Sequence, residues 1–207
     1  MRAKPTAVLF DWDNTLVDTW PGIHKAIEAT MVYMGHDPWS LEEVKQKAHA
    51  SARDAFPRMF GDNWVDAYQF FYDFLNSQER FPLDTLKGAS ETLFALHQAD
   101  VPMGIVSNKR GDHLRLEVEQ MGWAHFFQSI VGSGDSEKDK PHPDPIWKAL
   151  DLMGLKPSIN VLFVGDTPVD WQASERAGCF SVALAPVEDT PILRVETHQE
   201  LLDFLKL

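Results

Sequence analysis

With 207 residues, 44% of them hydrophobic, and 31 acidic against 19 basic side chains for a formal net charge of −12, the chain can build one core with a sizeable insertion or two small domains. That acidic balance argues against general nucleic-acid binding, which wants a basic face for the phosphate backbone. The single Cys179 excludes an internal disulfide and a Cys-rich zinc site, and no apolar run approaches a signal-peptide core or a membrane span, so a soluble, cytoplasmic protein without membrane contact is expected.

The first element in chain order is the apolar run "AVLF" at Ala7–Phe10, a candidate strand. It leads directly into "DWDNTLVDT", where Asp11 and Asp13 stand one residue apart. Alone this is weak evidence, because Asp, Asn14 and Thr15 are all turn formers. About seventy residues then follow without a convincing strand. Within them Ile23, Ile27, Met31 and Met34 recur at helical spacing behind Pro21, which suits a first turn. In "WVDAYQFFYDFL", Trp64, Tyr68, Phe71 and Leu75 form one stripe, widened by Phe70 and Phe74. Residues 18–83 thus read as an inserted helical bundle, leaving 1–17 and 84–207 for the core.

After Gly88 the periodicity alternates. A helical pattern with Leu93 and Leu96 precedes a strand at Met103–Val106 that ends in "SNKR" (Ser107–Arg110). A helix through Leu114, Val118 and Met121 precedes a strand at Ser129–Val131 that leads into "GSGDSEKDKPHPD" (Gly132–Asp144). Ile146, Trp147, Leu150 and Met153 mark the next helix, the strand Val161–Val164 ends in "GDTPVD" (Gly165–Asp170), and a last strand covers Phe180–Leu184. Strands separated by single helices pair in parallel through right-handed crossovers. The predicted fold is therefore α/β, a doubly wound, Rossmann-like parallel sheet with an inserted α-helical cap domain.

Ligands of such sheets bind beyond the carboxyl ends of the strands, and there the reactive side chains cluster. Each has a bland reading: "SNK" as a helix cap, Lys140 as a loop charge, "GDTPVD" as a turn into a capped helix. Four such coincidences at successive strand ends point to function. Carboxylates, a hydroxyl and a lysine on one rim suit a divalent cation facing a phosphoryl group.

The ordered set DWDNT, SNK, KPHPD and GDTPVD resembles the four motifs of the haloacid dehalogenase-like hydrolase superfamily, most of all its phosphoglycolate phosphatase-like branch, from about Ala7 to Leu184. The resemblance implies that Asp11 attacks phosphorus to form an aspartyl-phosphate, while Asp13 protonates the departing alkoxide and later takes a proton from water. It implies Mg²⁺ held by Asp11, the backbone carbonyl of Asp13 and Asp166, with Asp170 either behind them accepting from metal-bound water or serving as an occasional ligand. Ser107, the backbone amide of Asn108 and Lys140 would hold the phosphoryl group, with the amides of Asn14 and Thr15 lending support. The expected activity is Mg²⁺-dependent hydrolysis of small organic phosphate monoesters, with a small phosphorylated metabolite as partner, the cap closing over the leaving group, and a monomeric or weakly dimeric state.

Asp13 disfavours the dehalogenase and phosphonate-hydrolase members of that superfamily. A sugar phosphomutase is the alternative; the position twelve residues beyond Asp11 that carries its cap histidine is Ile23 here, with His24 following and read as a non-catalytic helix position. A phosphorylation-driven receiver is less favoured, since it carries its acceptor later in the sheet and has no insertion. Strand alternation turns Trp12 away from the chemistry. Asp18 reads as a hinge or helix-start residue, His142 as structural or solvated, and Cys179 as a small buried residue.

Overall fold

In the computed structural model, which describes residues 4–77, 83–184 and 192–207, β1 (Ala7–Phe10) is buried along its whole length. It is followed by the two-residue β2 (Val17–Asp18), helices α1 (Trp20–Tyr33), α2 (Leu41–Lys47), α3 (Ala52–Phe60) and α4 (Trp64–Ser77), and the two-residue β3 (Asp84–Thr85). Then come α5 (Ala89–Gln98), β4 (Met103–Arg110), α6 (Gly111–Gln120), β5 (Ser129–Ser133), α7 (Asp144–Leu152), β6 (Val161–Gly165), α8 (Pro168–Ala177), β7 (Phe180–Leu184), β8 (Leu193–Val195) and α9 (His198–Leu205).

The large sheet has the order β5-β4-β1-β6-β7-β8, and its neighbours pair in parallel. This is the doubly wound α/β architecture expected from the alternating periodicity. The chain winds outward from β1 to β4 and β5, then returns across β1 to β6. The reversal falls between β1 and β6, where sheets of this kind open a crevice at the strand ends.

Alternation along β1 divides the core into two layers. Val8 and Phe10 join Leu93, Leu96, Leu114, Val118 and Leu201 on the α5, α6 and α9 side. Ala7 and Leu9 join Ile146, Leu150, Ala173 and Ala177 on the α7 and α8 side. Both faces of β1 are covered, which explains an apolar run without polar alternation.

Several boundaries differ from the sequence reading. The interval expected to lack strands contains β2 and β3, which pair as a separate two-stranded sheet and are too short to carry a periodicity. β4 continues past Val106 to Arg110: after a register shift Arg110 pairs with Ser133, so Ser107, Asn108 and Lys109 lie on a bulge. β8 and α9 were not expected. The β8 sequence LRV places an exposed arginine between apolar residues, and α9 begins at Thr197, whose hydroxyl accepts the Glu200 N–H at 3.1 Å, a T-x-x-E cap.

The chain divides into two compact units, Met1–Val17 with Thr85–Leu207, and Asp18–Asp84. Parts of the predicted ranges, at 1–3, 78–82 and 185–191, lie outside the described residues. The helical unit has its own core of Ile27, Met31, Val44, Phe56, Phe60, Phe71 and Tyr72, with Trp64, Tyr68, Phe74 and Leu75 packed against it. Phe70 instead stacks on the half-exposed Tyr33 at 4.1 Å. A reciprocal Ser40–Glu43 cap starts α2, and Asp18 accepts the Trp20 N–H at the start of α1 at 3.2 Å. The His24 ring hydrogen-bonds the Trp39 carbonyl at 3.2 Å, a contact within this unit. No helix among the described residues is long and apolar enough to cross a membrane.

Candidate active site

Asp11 is the first residue past β1, and its N–H donates to the Val164 carbonyl of β6 at 2.9 Å. Its side chain is nearly closed to solvent, and one oxygen accepts from the Lys140 ammonium at 2.7 Å. The same ammonium donates to Asp170 at 2.7 Å and to the Val106 carbonyl at 2.9 Å. All three N–H bonds of a lysine only 2% exposed are thereby satisfied. Burial would drive the proton from Lys140, but Asp11 and Asp170 outweigh it and hold the group charged, above the ordinary lysine range.

The loop that carries Lys140 is secured on both sides. Asp139, itself buried, accepts from the Ser133 hydroxyl at 2.6 Å and the Gly134 N–H at 3.3 Å. The Lys140 carbonyl accepts from the Asn108 side-chain amide at 3.0 Å. Arg176 donates to the carbonyl of Pro141 at 2.7 Å, the residue that follows a cis peptide bond. A long flexible side chain is thus delivered from a fixed backbone.

Asp170 is the third residue of α8. Its second oxygen accepts from the Thr167 N–H at 3.0 Å and the Thr167 hydroxyl at 2.7 Å, so one carboxylate caps a helix and grips Lys140. Gly165 makes this possible: a Cβ there would stand 2.5 Å from both Cβ and Cγ of Asp170. Asp166, at the end of β6 and partly exposed, receives a long contact from the Thr15 hydroxyl at 3.4 Å. One oxygen each of Asp11, Asp166 and Asp170 lies within 4.8 Å of the others.

Three carboxylates and one lysine in a buried space leave an excess of negative charge. Burial, opposed by Lys140 and reinforced by Asp170 and Asp13, pushes the Asp11 carboxyl up to about 7. Burial, then Asp170 and Asp11, raises Asp166 well above the carboxylate range. A hard divalent cation with oxygen ligands would relieve that repulsion, so these residues fit Mg²⁺.

Asp13 lies toward a different partner. Its carboxylate forms an ion pair with the Lys109 ammonium at 2.7 Å, and Lys109 also meets Glu117 of α6 at 2.6 Å. Glu117 further accepts from the Trp12 indole N–H at 2.7 Å and lies 3.1 Å from His113 Nε2. Burial would raise Glu117, but Lys109 and His113 overcome it and lower its carboxyl to about 2. Trp12 is fully buried, edge-on to Trp123. Lys109, Glu117 and His113 were not singled out from the sequence; the usable signals were the lysine inside "SNKR" and the i, i+4 pair of His113 and Glu117.

The buried Ser107 accepts the Lys109 N–H at 3.2 Å on the β4 bulge. Asn14 adopts φ +59°, a left-handed conformation that asparagine tolerates. Its N–H donates to the Val17 carbonyl at 2.7 Å, so the expected contribution of the Asn14 amide to a phosphate cradle gives way to a turn contact. His198 of α9 donates through Nε2 to the Thr15 carbonyl at 2.8 Å, tying the C-terminal helix to the same turn. His142 is exposed, and Cys179 is buried, its thiol pushed up to about 11 by that burial.

Residues 8–184 match the haloacid dehalogenase-like hydrolase family, and the chain belongs to it. It is 30% identical to a phosphoglycolate phosphatase from Shigella boydii, with 86% of this chain and 80% of the relative covered. It is also 30% identical to pyrophosphatase PpaX from Bacillus pumilus, covering 86% of this chain and 82% of that protein. Among solved structures, a HAD-superfamily hydrolase from Ehrlichia chaffeensis superposes with a TM-score of 0.72 at 31% identity, over 100% of this chain and 98% of that one.

Proposed function

We propose that the chain is a Mg²⁺-dependent phosphatase that hydrolyses small organic phosphate monoesters through an aspartyl-phosphate on Asp11. Family membership and the phosphatase and pyrophosphatase relatives support a hydrolase of phosphate esters. The observation that carries the mechanism is the buried Lys140 ammonium shared between Asp11 and Asp170, beside an acid cluster that suits a divalent cation.

In this reading an Asp11 oxygen bonds to phosphorus as the ester P–O bond breaks, and Asp13 gives its proton to the departing alkoxide oxygen. Water then attacks the aspartyl-phosphate, passing its proton to Asp13; phosphate leaves and Asp11 is restored. Ser107 and the backbone amide of Asn108 hold phosphoryl oxygens, and Lys140 balances charge beside Asp11. Asp11, the Asp13 carbonyl and Asp166 would hold Mg²⁺, which when bound would neutralise phosphoryl charge. Asp170 acts behind this set by fixing Lys140 and the start of α8. Residues 18–83 act as the cap domain that selects the leaving group, and the protein works in the cytoplasm on a phosphorylated metabolite.

Phosphate release from a panel of esters, headed by phosphoglycolate and with inorganic pyrophosphate included, tests the reading with and without Mg²⁺. Turnover that depends on Mg²⁺ and disappears in Asp11→Asn is the expected result. Undiminished turnover by Asp11→Asn would sink the mechanism.

A further inference from the structure

Lys109 has no part in the reaction described above, yet it is one of the most tightly held charges at the strand ends. Its side chain is 7% exposed, between Asp13 at 18% and Glu117 at 10%. The contacts form a closed ring. Trp12, covalently next to Asp13, donates its indole N–H to Glu117; Glu117 meets Lys109; and Lys109 meets the Asp13 carboxylate. His113 supports Glu117 from one helical turn away.

A lysine with a buried counterion in Glu117 is already neutralised, so a second carboxylate is not needed to keep it in the fold. The additional contact to Asp13 falls on the most exposed member of the ring. A free aspartate side chain rotates about two bonds; one joined to a lysine that is itself pinned by a carboxylate has a single preferred setting.

From this ring we infer that Lys109, anchored by Glu117 and Trp12, is the positioning residue for Asp13. The inference rests on the reading of Asp13 as proton donor to the leaving group. In that step the Asp11–phosphorus bond forms, the ester P–O bond breaks, and the proton moves from the Asp13 carboxyl to the alkoxide oxygen, releasing alcohol and leaving Asp13 as a carboxylate. Lys109 touches neither phosphorus nor the leaving oxygen; it holds one oxygen of Asp13, so the proton rides on the other, whose place is thereby set.

The test compares kcat/KM on an alkyl phosphate, whose alkoxide needs a proton, with that on 4-nitrophenyl phosphate, whose phenolate leaves without one. In Lys109→Met the alkyl phosphate value is expected to fall on the order of 10- to 100-fold, part of what a placed general acid contributes, and the 4-nitrophenyl value by about threefold or less. Lys109→Met/Glu117→Gln removes both buried charges and keeps an acceptor for Trp12, so it guards against loss of fold; the same selective loss is expected. Glu117→Gln alone loosens the anchor and gives a smaller loss of the same selectivity. Equal losses on both substrates, or none, overturn the inference. Should the native protein release no phosphate, or Asp11→Asn match it, the phosphatase reading itself fails and takes this inference with it.

Discussion

The Lys140 ammonium stands 2.7 Å from Asp11 and 2.7 Å from Asp170, so one buried cation joins the end of β1 to the start of α8. Replacing it by Met leaves two carboxylates without a counterion. Turnover is expected to drop by at least about 100-fold through loss of charge stabilisation, and stability by roughly 3–5 kcal/mol as for a broken buried pair. Steady-state kinetics and thermal melts of Lys140→Met measure both, and a variant as stable as the parent would contradict the pairing.

Asp11 makes stability depend on pH in an unusual direction. Its folded value, about 7, lies above the ordinary 3.8, so between those values the folded protein binds more protons than the unfolded one. Stability then falls as pH rises through that window, and the cost is fully present above it. Metal-free Asp11→Asn should melt higher than the metal-free parent near pH 8, by on the order of 1–3 kcal/mol or about 2–4 °C for each. The gap should close toward pH 4, and melts in chelator across this range decide the matter.

The acid cluster of Asp11, Asp166 and Asp170 gives a prediction for metal removal. Chelation should abolish phosphate release and lower the melting temperature, while added Mg²⁺ should raise it by mass action on the folded state. The stabilisation should shrink in Asp166→Asn. Identical Mg²⁺ responses in the parent and this variant would remove Asp166 from the ligand set.

Gly165 has no spare volume on its Asp170 side. An alanine there would bring a methyl group to 2.5 Å from the Asp170 side chain, so Gly165→Ala must displace the residue that caps α8 and holds Lys140. A loss of roughly 1–3 kcal/mol is expected, together with a fall in turnover. Full activity with unchanged stability would mean that the Asp170 contacts are dispensable.

The parts of the fold readable in the sequence are those with long-range consistency. Buried strands such as Ala7–Phe10 announce themselves because both faces are covered, and "GDTPVD" because its acids follow such a strand. Lys109 was harder to read. Its partners Asp13 and Glu117 lie on different elements, and only the β4 bulge brings the three together. β2 and β3 escaped because two residues define no period, whereas at Asn14 the turn that its residue type allows takes up the amide.

The place of β1 at the centre of the sheet bears on how the chain is made. β1 precedes both of its neighbours in the chain, pairing with Met103–Ile105 and Val161–Val164, so during synthesis it must wait until the chain has reached Val164 before both sets of hydrogen bonds close. The helical unit Asp18–Asp84 depends on nearer contacts and can condense earlier. Pairings of such long sequence separation slow folding and leave the apolar strand exposed meanwhile. The segment that carries Asp11 and Asp13 is therefore made before both of its strand partners and secured only after them.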